Sequence, residues 1–235
     1  MPSIPALPKD QCLGVIMPVF NERQTIKQII AQVLARTEVM ELIIVNDCST
    51  DGTQEILDEL QSTDSRIRLF HHRENQGKGA AIRTGIRELK APAALIQDAD
   101  LEYNPEDYPS LLAPLLAGKA DAVFGSRFIG GQAHRVLYFW HMVGNKMLTL
   151  ASNMFTNLNL TDMECCYKAF LTQHLRGFQL TEDGFGIEPE LAAKAARQEL
   201  RIYEVGVSYS GRTYAEGKKI TWRDGFHALW AIAKS

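Results

Sequence analysis

Two hydrophobic patterns alternate along the chain: short unbroken apolar runs, and longer stretches in which apolar residues recur at helical spacing. Cys12 to Met17 is a run stopped by Pro18, short enough for a buried strand. After Asn21, which can cap a helix, Ile26, Ile29, Ile30, Val33 and Leu34 mark one helical face. A strand from Leu42 to Val45 ends in Asn46-Asp47, followed by a turn-rich segment, Cys48 to Gly52. A helix through Ile56, Leu57 and Leu60 leads to a strand over Ile67 to Phe70. Asn75-Gln-Gly-Lys-Gly79 opens a helix through Ile82, Ile86 and Leu89. Ala93 to Ile96 predicts the next strand, Pro105 the first turn of a helix, and Ala120 to Phe124 a further strand ending in Gly125-Ser-Arg127. This alternation over short connectors predicts an α/β fold, a Rossmann-like, mostly parallel sheet with helices on both faces.

Beyond residue 130 the pattern changes. Val136 to Leu158 is helical in composition and rich in aromatics and Met. Thr161 to Phe170 is compact and mixed, Glu188 to Arg197 predicts a helix, and Ile202 to Val207 predicts a strand. Gly211 to Lys219 is a basic loop, and an amphipathic helix with Trp222, Phe226, Leu229 and Trp230 closes the chain. The 138–155 stretch reads first as core and second as a surface that lies on a membrane; the closing helix is another candidate contact.

Polar groups stand at the carboxyl end of each predicted strand: Asn21 and Glu22, then Asp47, then His71 to Lys78, then Asp98, Asp100 and Glu102, then Ser126 and Arg127. That rim is where open α/β sheets bind ligands. Three acids at alternate positions suit a hard divalent cation, which takes carboxylates together with substrate phosphates. Gly77-Lys-Gly79 lacks the Ser/Thr and the upstream glycine of a P-loop, and no glycine fingerprint of a dinucleotide fold follows the first strand.

Bulk properties narrow the field. At 235 residues and 46% hydrophobic, the chain can build one substantial core. A net charge of -3 gives no support for nucleic acid as a partner. Cys12, Cys48, Cys165 and Cys166 lack zinc-ligand spacing and read as reduced, buried thiols of a cytoplasmic protein. The first ten residues hold three prolines and no apolar core, a lead-in rather than a targeting segment. No stretch approaches the ~18 apolar residues of a membrane span.

Val15-Ile-Met-Pro-Val-Phe-Asn-Glu22, Val45-Asn-Asp-Cys-Ser-Thr-Asp-Gly-Thr53, Asn75-Gln-Gly-Lys-Gly79 and Gln97-Asp-Ala-Asp-Leu-Glu102 stand in the order and spacing of inverting family 2 glycosyltransferases. Gly125-Ser-Arg127, Thr161-Asp162, Lys168-Ala-Phe170 and Gly211-Arg-Thr with Gly217-Lys-Lys219 extend the likeness to about residues 12 to 230. The chain most resembles the dolichyl-phosphate mannose synthase and polyprenyl-phosphate glycosyltransferase branch. Departures are Phe20 where the family often has Tyr, and Gly217-Lys218 where Ser-Lys is common. Arg135 and His141 stand nearest the place of a second acceptor-side arginine.

The resemblance implies a single GT-A domain, with a nucleotide-sugar half to about residue 100 and an acceptor half over about 101–235. Pro18, Phe20, Asn21 and Glu22 would line the base and ribose pocket, Asp47 would hold the base or ribose, and Lys78 would lie near the nucleotide. Asp98 and Asp100 match the metal motif, with Glu102 a third contact for Mg²⁺ or Mn²⁺. Arg127 would bind the acceptor phosphate, and Arg212 and Lys218 would close over the donor phosphates. The expected reaction moves a hexose from GDP-mannose or UDP-glucose to a polyprenyl phosphate at the cytoplasmic face of a membrane, with Asp100, Arg127 and Asp162 carrying the chemistry. A hydroxyl acceptor would instead need a carboxylate base, for which Asp162 and Glu188 are candidates; helix capping and an exposed first-turn acid are their structural alternatives. A subunit that binds nucleotide-sugar without turnover is a further alternative.

Overall fold

A computed structural model describes residues 7–130, 135, 136 and 138–212. Among the described residues the elements follow in the order β1 (Leu13–Val19), α1 (Ile26–Leu34), β2 (Val39–Asn46), α2 (Thr53–Gln61), β3 (Ile67–His71), α3 (Lys78–Glu88), β4 (Ala93–Ile96), a 3-10 turn (Pro105–Asp107), α4 (Tyr108–Leu116), β5 (Ala122–Ser126), α5 (Phe139–Thr156), β6 (Lys168–Leu171), α6 (Thr172–Gly177), α7 (Ile187–Arg197) and β7 (Ile202–Gly206). They form one seven-stranded sheet in the order β3-β2-β1-β4-β6-β5-β7.

β4, β5 and β6 are buried at every position, and β1 at all but Pro18. Strands with no solvent-facing residues must be covered on both faces, which explains why they read as unbroken apolar runs. α3 packs on β1 and β2, and α4 on β5 and β6. The expected α/β architecture is present, with one addition. β6 lies antiparallel between β4 and β5, pairing Ala94 with Phe170 and Val123 with Ala169. The mixed Thr161–Phe170 segment thus supplies a central strand that joins the β1–β4 half to the β5–β7 half.

Two expectations are corrected. Asn21 does not cap α1, which starts at Ile26; with φ 52° it turns the chain out of β1, and its side chain accepts from the Thr50 amide at 2.8 Å. α5 is not an apolar core helix. It buries the polar Asn145, Thr149 and Ser152, the Thr149 hydroxyl accepting from the Met163 amide at 3.1 Å. Its apolar Phe139, Trp140, Met147, Leu150, Met154 and Phe155 remain exposed. Lys218 and the closing helix lie outside the described residues.

Candidate active site

Winding reverses between β1 and β4. The chain proceeds outward from β1 to β2 and β3, then returns to place β4 on the other side of β1. Connections leaving β1 and β4 therefore diverge, and a crevice opens above their carboxyl ends. A cavity of about 280 Å³ occupies it, lined by residues from every rim segment that the sequence marks: Pro18, Phe20 and Glu22, Asp47, Lys78, Asp98, Asp100 and Glu102, and Arg127, with Arg212 beside them.

Below the acidic loop, the buried Gln97 carbonyl accepts from the hydroxyls of Tyr108 and Tyr167, each at 2.7 Å, while its amide donates to the Asp98 carbonyl at 3.0 Å. This ties the exit of β4 to two elements of the core. Asp98 receives Lys78 Nζ at 2.7 Å, and the same ammonium lies 3.1 Å from Glu188. Burial alone would raise the Asp98 carboxyl, but the Lys78 charge holds it below its ordinary value. Asp100 is different: burial, with the Asp98 and Glu102 charges behind it, pushes its pKa up to about 7. Arg212 opposes that rise by donating to Asp100 at 2.6 Å, and it also reaches Glu22 at 3.4 Å.

Glu102 gives one oxygen to the Tyr209 hydroxyl at 2.6 Å and the other to the Arg212 amide and Nε at 2.9 and 3.2 Å. Asp100 and Glu102 meet across Arg212 while Asp98 faces Lys78, rather than all three around one point. Among the described residues, no three carboxylate, imidazole or thiol groups form a ready-made metal cage. The donor chemistry nevertheless fits a hard cation of the Mg²⁺ type, which takes one or two carboxylates and fills its remaining positions with substrate phosphate and water. Asp98 and Asp100 offer those oxygens, and the charge excess that raises Asp100 is what a cation relieves.

Asp47 organises the side of the cavity next to α3. Its carboxylate accepts from the Gln76 and Gly77 amides at 2.9 and 2.8 Å and bonds the His72 ring at 2.7 Å. Gly77 takes φ +94° just before α3, a backbone that favours glycine. A Cβ on Gly79 would meet the Glu182 carbonyl at 2.2 Å. The two glycines therefore let the segment around Glu182 and Asp183 lie on the start of α3, and Lys78 is delivered into the cavity between them.

At the far end, Arg127 is buried against Asp162. Its Nε and Nη2 donate to the two carboxylate oxygens at 2.6 and 2.7 Å, and its backbone amide adds a third bond at 3.0 Å. Burial works against the guanidinium charge, and Asp162 more than restores it. Asp162 is fully buried beneath Arg127 and does not line the cavity. Glu188, expected as an exposed acid or a base, is buried between Lys78 and Lys168, the latter bonding it at 2.6 Å. His141 of α5 lines the cavity; Arg135 is placed elsewhere, donating to the Gly211 carbonyl at 3.1 Å. Sequence reasoning missed Tyr103, Glu164, Phe185 and Tyr209, all in the wall. Only Glu164 carried a signal, an acid set in an otherwise apolar stretch beside Asp162.

Residues 14–177 match the family described as "Glycosyl transferase family 2". The chain belongs to glycosyltransferase family 2. The transferase is 28% identical to glycosyltransferase AglJ of Haloferax volcanii over 88% of its own length, and it spans 65% of the length of that protein. It is also 28% identical to the undecaprenyl-phosphate mannosyltransferase of Micrococcus luteus, over 86% of this chain and 85% of that one. Among solved structures, glucosyl-3-phosphoglycerate synthase of Mycobacterium tuberculosis, in complex with Mn²⁺, UDP and glucosyl-3-phosphoglycerate, superimposes with a TM-score of 0.71 at 20% identity. The match covers 94% of the transferase and 78% of the synthase. That likeness shows the GT-A fold.

Proposed function

We propose that the transferase moves a hexose from a nucleoside-diphosphate sugar, such as GDP-mannose or UDP-glucose, to a polyprenyl phosphate. One observation carries the reading: the acid pair Asp98 and Asp100 and the guanidinium of Arg127 line the same cavity. One end suits a leaving diphosphate and the other an incoming phosphate. A divalent ion, Mg²⁺ or Mn²⁺, held by Asp98 and Asp100 would supply Lewis-acid stabilisation of the leaving group. Glu102 would anchor Tyr209 and Arg212 behind it, and Arg212 and Lys78 would exchange their carboxylate partners for donor phosphates. Arg127, its planar fork fixed from behind by Asp162, would align the acceptor phosphate.

A phosphate monoester with a second pKa of about 6 is already ionised near neutral pH and needs no base. That matches the state of the base candidates, since Asp162 is taken by Arg127 and Glu188 by two lysines. The mannosyltransferase relative supports a lipid-phosphate acceptor, and the exposed apolar side chains of α5 support contact with a membrane surface. α5 also brings His141 to the cavity, so a lipid tail leaving the acceptor phosphate would find that apolar face beside it. No helix among the described residues is long and apolar enough to cross a membrane.

Asp100→Ala tests the reading. Metal-dependent transfer should fall by about 10²–10³-fold, by analogy with loss of one stabiliser of developing charge, with the unfolding midpoint retained. Near-normal turnover would refute the role of the acid pair.

A further inference from the structure

We infer that Glu164 is a specificity-determining residue that binds a hydroxyl of the transferred sugar. The assignment rests on the donor reading above and extends it to the part of the cavity which that reading leaves without partners. Glu164 lines the cavity, and its buried Oε1 has no hydrogen-bond partner among the described residues. Buried carboxylate oxygens are nearly always satisfied, and an exception calls for a ligand, an ion or water. A carboxylate oxygen accepts, so the missing partner is a donor. The lysines nearby are committed: Lys168 donates to Glu188 and to the Met163 and Cys165 carbonyls, and Lys78 bridges Asp98 and Glu188.

Position identifies the donor. The charged groups around Glu164 fall into two sets. Glu188 and Lys168 lead through Lys78 to Asp98, at the diphosphate end; Arg127 and Asp162 form the acceptor end. In an inverting displacement the sugar lies between the leaving and incoming oxygens, and Glu164 lies within electrostatic reach of the groups assigned to each. The connection is the same along the chain, because Asp162 fixes Arg127 and Lys168 fixes Glu188, with Glu164 between them. A hexose offers several hydroxyl donors there, and a carboxylate placed to meet one of them rejects an epimer whose hydroxyl points elsewhere. Burial and the Glu188 charge also raise Glu164, and a hydroxyl donated to its free oxygen would offset that cost.

The test compares the intact donor with the same nucleotide lacking sugar. UDP, GDP, UDP-glucose and GDP-mannose are titrated calorimetrically, with Mn²⁺, into the wild-type chain, Glu164→Gln and Glu164→Ala. The assignment predicts that the nucleotide-sugar bound by the wild type weakens about tenfold or more in Glu164→Ala, while the matching nucleoside diphosphate changes less than twofold. Glu164→Gln should alter the preference between the two nucleotide-sugars. Equal affinities in wild type and both variants would overturn it, and so would parallel loss of sugar-bearing and sugar-free nucleotides, which marks a structural role. A wild-type chain that binds the nucleoside diphosphate but neither nucleotide-sugar would overturn the donor reading itself.

Discussion

Asp162→Asn separates an anchor from a base. In the native state the Asp162 charge faces a buried guanidinium through two side-chain bonds of 2.6 and 2.7 Å and a backbone bond of 3.0 Å. An isosteric amide keeps the shape, removes the charge and turns an N–H₂ toward a cation that has no other carboxylate partner among the described residues. Breaking a buried pair in this way costs about 3–5 kcal/mol, against a total stability of about 5–15 kcal/mol. For a chain of this size each kcal/mol moves the midpoint by about 2–4 °C, so the variant should melt roughly 6–20 °C lower. The assay pairs thermal unfolding with transfer measured across pH. As an anchor of Arg127, Asp162 predicts a lower midpoint, reduced transfer and a pH profile of unchanged shape. Replacing both partners, Arg127→Met with Asp162→Leu, should recover most of the stability without recovering transfer, because an apolar pair of similar volume substitutes well for a buried ion pair. A midpoint within about 2 °C of wild type, together with loss of the acid limb of the profile, would show that Asp162 is a base and that the anchor reasoning is wrong.

Gly79→Ala should destabilise by about 1–3 kcal/mol in urea unfolding, because the new methyl meets a backbone carbonyl rather than a flexible side chain; a neutral outcome would mean that the segment around Glu182 is not docked on α3. Stability should also follow Glu164, whose pKa burial lifts to about 7 from 4.5. The folded state then holds that proton more tightly than the unfolded chain, so its contribution is full below about pH 4.5 and is lost as pH rises through 7. Glu164→Gln, permanently neutral, should therefore be more stable than wild type at pH 8, by up to about 3 kcal/mol, and closer to it at pH 5; the reverse order would contradict the burial of this carboxyl. Trp140→Ser with Phe155→Ser removes two exposed apolar groups of α5 and should lower co-sedimentation with phosphatidylcholine–phosphatidylglycerol vesicles at least about tenfold, leaving nucleotide binding intact. Unchanged sedimentation would remove α5 from the membrane reading.

Most of the sheet is legible in the chain because its central strands are buried on both faces, so Val15-Ile-Met and Ala93-Ala-Leu-Ile appear as uninterrupted apolar runs. β6 is not, since a four-residue strand that begins with a buried lysine has no local signature. Its identity comes from β4 and β5 on either side and from the Glu188 carboxylate that receives Lys168. The rim acids and Arg127 could be placed because strand ends in such folds converge. Which carboxylate faces which cation could not, because the pairs span long stretches of sequence: Arg127 with Asp162, Lys78 with Glu188, Arg212 with Asp100. α5 misled for a related reason. Its aromatic and Met-rich composition suggests a core helix, whereas hydrogen bonding from the Met163 amide turns the polar stripe inward and leaves the apolar side chains outside.

The most direct measurement is a transfer assay with the purified chain in detergent, a short polyprenyl phosphate as acceptor, UDP-glucose or GDP-mannose as donor, and Mn²⁺ or Mg²⁺ present or chelated. The account predicts a lipid-linked sugar that forms only with both metal and acceptor and forms about 10²–10³-fold more slowly in Asp100→Ala. Donor binding or hydrolysis with no lipid product, or product formed equally after chelation, would contradict it.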